Sequence, residues 1–228
     1  MRLLSGQYQP EKKQGFRAIP AKFSPGRLQY LDERALAAFE KLAAAAEKAG
    51  FQLVVVSATR NFASQKAIWE QKFSGRRKVG GKDLAKTIPN EEQRALEILK
   101  YSSMPGTSRH HWGTDFDLHE AKVGGPPLSN ETLSRGRGLQ FYNWLRAHAG
   151  EYGFCQPYKG NPSERNGGRF AHGYEEERWH WSYQPLASQY LKAYAENAAA
   201  LTPAGFAGDN AGAKFYLDYV KNIDPGCL

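Results

Sequence analysis

The order of patterned segments limits the fold of this chain more than any other feature. From Asp32 to Lys48, the residues Leu36, Phe39, Leu42, Ala43 and Ala46 recur at helical spacing, and Gly50 stands where such a helix would end. Phe51 to Val56 follows as an apolar, β-branched run of strand length. A doubly wound sheet would repeat that pairing, and this chain does not. Residues 63–73 read as a helix. Residues 90–101 read as another, with Asn90 as its cap and Glu91 and Glu92 in the favourable first turn. Thr114 to Leu118 then alternates like a short strand, 138–149 is helical, and the aromatic run Arg178 to Tyr183 is strand-like. Amphipathic stretches at 186–199 and 212–222 close the chain, and the segments 74–90, 102–113, 121–136 and 157–169 read as loops. This order predicts an α+β fold in which a small antiparallel sheet is flanked by helices. Residues 1–30, with several Pro and Gly and little periodicity, predict an extended N-terminal arm making contacts through Tyr8, Phe16 and Phe23. A single domain is expected over 31–228.

The 228 residues include 12 Phe, 12 Tyr and 5 Trp, enough to fill a sizeable core. A formal net charge of +8 favours anionic partners. Lys and Arg are scattered and form no nucleic-acid-binding motif, so no nucleic acid is expected. The longest apolar run, Leu42 to Ala46, is far short of a membrane span. Residues 1–10 lack the charged start and long apolar stretch of a signal peptide. Cys155 and Cys227 form no CxxC pair, which leaves one disulfide or two buried thiols equally open.

Two clusters carry chemistry. The first is Ser108-Arg109-His110-His111-Trp112-Gly113-Thr114-Asp115-Phe116-Asp117, and the second is Glu177-Arg178-Trp179-His180-Trp181. Both offer imidazole nitrogen and carboxylate oxygen, which zinc favours; a catalytic zinc takes three protein ligands and leaves one position open. Of the six histidines, His148 near a helix end reads as structural, and His119 and His172 carry no decisive context. His110 and His180 stand out by their company.

Ser108, His110, Gly113 and Asp117 match the Ser-x-His-x-x-Gly-x-x-x-Asp signature, and Glu177 and His180 match Glu-x-x-His. Ser57, Arg60 and Gln65 match a third, Ser-x-x-Arg with a later Gln. In this the chain resembles the VanY-like D-alanyl-D-alanine carboxypeptidases, which group with the D-Ala-D-Ala dipeptidases, the lysostaphin-type endopeptidases and the hedgehog fold. The resemblance implies a hedgehog-like sheet carrying a zinc site, with His110, Asp117 and His180 as metal ligands and Glu177 as catalytic base. It implies Arg60 over the scissile carbonyl, Ser108 and Gln65 as substrate-holding residues, and peptidoglycan peptides containing D-alanine as partners. A wall endopeptidase, an L,D-carboxypeptidase or a non-catalytic zinc-binding wall module are the alternatives. An envelope or periplasmic location is implied as well, which requires a signal segment upstream of Met1. Oligomeric state is not legible.

Two positions complicate the match. The family often has Ala where Asp115 stands, and in a strand Asp115 shares a face with Asp117. Asp115 either orients a ligand or Arg60, or competes as a ligand. His111, adjacent to His110, is the other competitor. Glu177 and His180, three apart, would point to opposite faces of an ideal strand. Glu177 is therefore expected on the turn before the strand, or a bulge must intervene.

Overall fold

Asp32 opens the first long helix because its carboxylate accepts the Arg34 backbone N–H at 3.0 Å. In the computed structural model, which describes residues 1–228, the elements run β1 (Phe16–Ala18), β2 (Tyr30–Asp32), α1 (Glu33–Lys48), β3 (Leu53–Ser57), α2 (Phe62–Phe73), α3 (Leu84–Thr87) and α4 (Glu91–Leu99). They continue with β4 (Asp115–Glu120), α5 (Gly136–His148), β5 (Phe154–Cys155), β6 (His180–Tyr183), α6 (Gln184–Glu196), α7 (Asp209–Gly212) and α8 (Tyr216–Lys221). Asn61 and Asn90 cap α2 and α4 by accepting the backbone N–H three residues on.

The fold is α+β, as expected. Four strands form an antiparallel sheet in the order β3-β4-β6-β5, and β1 pairs with β2 apart from it. Period-2 alternation sorts the sheet's two faces. Phe116 and Leu118 of β4 and Trp181 of β6 join Leu53 and Val55 of β3 in an apolar cluster with Phe39 and Leu42 of α1 and Phe141 and Leu145 of α5. Asp115, Asp117 and His180 alternate to the other face. A second cluster is built mainly by α2, α4, α6 and α8, with Trp69, Ile98, Tyr194 and Tyr219 among its members.

Several boundaries depart from the sequence reading. A single helical turn, α3, sits inside the stretch read as a loop over 74–90, opened by Asp83 accepting the Lys86 N–H. Strand β6 begins at His180 rather than Arg178, since Arg178 and Trp179 form a turn. The two-residue β5 was not expected and pairs with Tyr183 and Ser182. A disulfide joins its Cys155 to Cys227 across 72 residues, which settles the cysteine question.

Residues 1–30 are tied to the rest of the chain at specific points. The Tyr8 hydroxyl donates to the His111 carbonyl, the Phe62 N–H donates to Gly6 and the Trp112 indole N–H donates to Leu4. Gly113 has φ +75°, and a Cβ there would lie 2.4 Å from the Phe16 ring. The glycine of the first signature is thus needed for both conformation and close approach.

Candidate active site

The loop after β3 and the loop before β4 hold each other. The Arg60 N–H donates to the His110 carbonyl at 3.1 Å, and the His110 Nδ1–H donates to the Ala58 carbonyl at 2.8 Å. A carbonyl can only accept, so the hydrogen bond fixes the tautomer and leaves His110 Nε2 free. That nitrogen lies 3.5 Å from Asp117 Oδ1. Asp117 is paired with His180 in the β4–β6 register, and His180 Nδ1 lies 3.3 Å from the same Oδ1.

His180 is fixed in the same way. Its Nε2–H donates to Asp115 Oδ1 at 3.0 Å, so Nδ1 is the nitrogen left to face Asp117. Asp115 also accepts from Arg109 Nε at 2.9 Å, the Thr114 hydroxyl at 2.6 Å and the Ser182 hydroxyl at 3.1 Å. With both oxygens engaged, Asp115 orients His180; the ligand atoms that gather belong to His110, Asp117 and His180, all within 4.8 Å of one another.

His111 is buried and uses both ring nitrogens structurally. Nδ1–H donates to the Arg60 carbonyl at 2.7 Å, and Nε2 accepts the Gly106 N–H at 3.0 Å. Burial pushes its pKa down to about 3, against the pull of the Arg60 carbonyl. It is not available to a metal.

Glu177 stands before the Arg178-Trp179 turn, and the His180 N–H points back to its carbonyl at 3.4 Å. The turn brings its Oε2 to 3.3 Å from His180 Nδ1, answering the spacing problem without a bulge in β6. Its backbone is pinned at both ends: the N–H donates to Tyr158, and the carbonyl accepts from the Gln156 amide.

Electrostatics follow from burial and company. Burial alone would raise the Asp117 carboxyl, but His110 and His180 hold it well below the usual carboxylate range. Burial raises Glu177, with His180 opposing. Burial also opposes protonation of His180, yet Asp115, Asp117 and Glu177 outweigh it and raise the pKa. A metal binding there would displace that proton.

Donor set and geometry fit zinc: two imidazole nitrogens with assigned tautomers and one carboxylate. Asp117 Oδ1 is buried with no hydrogen-bond partner, although two histidine nitrogens converge on it. An orphaned carboxylate oxygen is costly unless a cation or donor satisfies it.

These groups line a cleft of about 420 Å³, together with Arg60, Gln65, Tyr158 and Trp179. The Gln65 amide donates to the Ser103 carbonyl at 2.7 Å, and its Oε1 has no partner. Arg60 Nη1 donates to the Ser57 hydroxyl at 3.3 Å, while its Nε is unpartnered. Burial lowers the Arg60 pKa, against the attraction of Asp117 and Glu177. Ser108 is wholly buried and lies outside the wall of this cleft, its hydroxyl without a partner. Sequence reasoning did not single out Lys72, Arg77, Ser102, Asn130 or Tyr158, which also line the cleft. No spacing signal marks them; they arrive through four separate loops and one helix.

A model of the family described as D-alanyl-D-alanine carboxypeptidase, VanY, matches residues 28–186. The chain belongs to this family. Among curated relatives, a Haemophilus influenzae "Uncharacterized protein" is 37% identical over 78 residues, covering 33% of this chain and 53% of the relative. The Bacillus subtilis protein named "Putative carboxypeptidase YodJ" is 28% identical over 155 residues, covering 68% of this chain and 46% of the relative. The chain thus spans about half the length of these two. Among solved structures, VanYB in complex with D-alanine-D-alanine aligns with a TM-score of 0.53 at 22% identity, covering 78% of this chain and 88% of that one. A VanY D,D-pentapeptidase mutant in complex with Zn(II) aligns with a TM-score of 0.52 at 22% identity, covering 76% and 88%. These likenesses show that the VanY family's fold is shared.

Proposed function

We propose that this VanY-family protein is a zinc-dependent D-alanyl-D-alanine carboxypeptidase acting on peptidoglycan stem peptides. The observation that carries the reading is the convergence of His110, Asp117 and His180 on one point of a cleft, with the Glu177 carboxylate beside it. Family membership supports the reaction class, and the zinc-bound and D-alanine-D-alanine-bound relatives support the choice of metal and substrate.

In this reading His110 Nε2, His180 Nδ1 and an Asp117 oxygen hold the ion. Zinc supplies Lewis acidity and lowers the pKa of a water, from 15.7 to about 7 in favourable sites. Glu177, raised by burial, accepts the proton of the attacking water and passes it to the departing amine. Arg60 offers planar donors to the carbonyl oxygen as charge develops there. The peptide C–N bond breaks; the carbonyl carbon gains the hydroxyl and the nitrogen gains the proton. Gln65, with its free Oε1 at the cleft wall, holds a substrate N–H. Ser108 acts from beneath, where its carbonyl accepts the His111 N–H and shapes the turn carrying His110.

Residues 31–228 act as a single domain in this proposal, with 1–30 as an arm that braces the His110 loop. An envelope location is part of the same proposal and fits the Cys155–Cys227 disulfide, since such bonds persist in oxidising compartments. No helix is long and apolar enough to cross a membrane. The test is incubation of defined muropeptides with zinc-loaded protein and mass spectrometry of the products. Loss of one terminal alanine is expected; cleavage within the cross-link instead would identify an endopeptidase, and no cleavage would overturn the reading.

A further inference from the structure

Three cations face the cleft, and none of them forms an ion pair. Arg60 follows β3, Lys72 lies on α2, and Arg77 lies just beyond that helix. Some basic side chains elsewhere are matched, as Arg34 is with Asp32 and Lys214 with Glu92. The three are brought together by chain geometry. Gln65, Ile68 and Lys72 are spaced i, i+3 and i+7, so one stripe of α2 lines the cleft. The helix ends at Phe73, and the chain folds back over its last turn, where the Arg77 N–H donates to the Gln71 carbonyl at 2.8 Å. That reversal sets Arg77 beside Lys72. The Lys72 ammonium is half-buried and donates to the Ser102 hydroxyl, a neutral partner.

Like charges held together at a partly desolvated wall, without a counter-ion, favour an anionic ligand. The arrangement bears a physical cost. Burial, with Arg77 and Arg60 adding to it, pushes Lys72 down to about 8. The acidic groups of the cleft, Asp117 and Glu177, pack against His110 and His180, and attraction to Glu177 partly offsets the lowering of Lys72. A peptide lying in this cleft can match the cations left without ion pairs by offering them an anionic group.

We propose that Lys72 and Arg77 form a carboxylate-binding subsite of this cleft, which selects substrates by a free carboxylate. The inference rests on the proposed peptidase function and deepens it. Two carboxylates of a stem peptide have the right chemistry: the free C-terminus and the α-carboxylate of the D-glutamate. Both are ligands of one class, and amidation removes either one separately.

The experiment measures peptide binding to zinc-loaded Glu177→Gln protein by calorimetry, so that its outcome does not depend on turnover. Two peptide pairs are used. One ends in D-Ala-D-Ala as free acid or as amide; the other carries its D-glutamate α-carboxylate free or amidated. Protein with the Lys72 and Arg77 side chains intact should prefer the acid over the amide in one pair by about tenfold or more, as expected for a charge-assisted hydrogen bond. Lys72→Met and Arg77→Gln, each added to that background, should shrink the preference, and Lys72→Arg should retain most of it. The affected pair identifies the carboxylate. A preference that survives both substitutions, or none in the starting protein, overturns the subsite. Turnover of the same peptides by the wild-type chain is read separately. Failure to cleave, with the charge-dependent preference intact, would sink the catalytic reading and leave the subsite standing.

Discussion

Asp115 Oδ1 accepts the Nε2–H of His180 at 3.0 Å, so the imidazole can present only Nδ1 to Asp117. Carboxylate-to-histidine contacts of this kind fix ring orientation and raise ligand basicity. The Asp115 carboxylate is itself neutralised by the buried Arg109, whose Nε lies 2.9 Å from Oδ1.

Asp115→Asn should therefore lower zinc affinity by about 10–100-fold while all three ligands remain. Competition against a chromophoric chelator measures it. Asp115→Ala should in addition leave Arg109 as an unpaired buried charge, costing about 3–5 kcal/mol of stability. Denaturant unfolding of the metal-free protein reads that separately.

The two adjacent histidines should separate cleanly. His110→Ala and His180→Ala should abolish stoichiometric metal, and His148→Ala should change nothing. His111→Ala should keep the metal but lower the melting temperature, because the Arg60 carbonyl and the Gly106 N–H both lose a buried partner. Metal content and thermal unfolding of the four variants decide the register.

Much of this was legible in the chain. The helices α1, α2, α4 and α5 and strands β3, β4 and β6 are each marked by apolar spacing or runs, and their buried residues contribute to the two cores. The signatures bring forward His110, Asp117, Glu177 and His180, and the structure brings those four together. What stayed hidden depends on partners far along the chain. His110 and His111 are neighbours of equal chemistry; only the Ala58 carbonyl on one and the Gly106 N–H on the other tell them apart. The two residues of β5 are too few to show a period. Lys72 and Arg77 carry no motif or spacing signal; the stripe of α2 and the chain reversal after it place them on the cleft.

The Cys155–Cys227 bond closes a loop of 72 residues and ties the C-terminus to β5, the neighbour of the strand that bears His180. Chain-entropy arguments give about 4 kcal/mol for a loop of that size. Mild reduction, or Cys227→Ala, should lower the melting temperature. Loss of zinc before global unfolding would further show that β5 steadies β6. Calorimetry with a parallel zinc-release assay checks both.

Glu120 supplies a pH dependence remote from the metal. It is buried at the end of β4, where burial would raise its pKa, but Arg137 and the N–H groups of Gln52 and Lys122 lower it. A depressed folded pKa contributes stability that is present above the unfolded value of about 4.3. That stability is lost as pH falls through the folded value. Glu120→Gln should thus be less stable than the wild type near neutrality, with the gap closing as acid is added below about pH 4. Unfolding midpoints across pH 3–7 test this.

The central claim is that Glu177 is the base of a zinc peptidase, and Glu177→Gln examines it most directly. Zinc content, affinity for a D-Ala-D-Ala-ending peptide and hydrolysis rate are measured on the same preparations. The expected result is full zinc, little change in affinity and a turnover lowered by about 10²–10⁴. Hydrolysis by Glu177→Gln at the wild-type rate would contradict the mechanism.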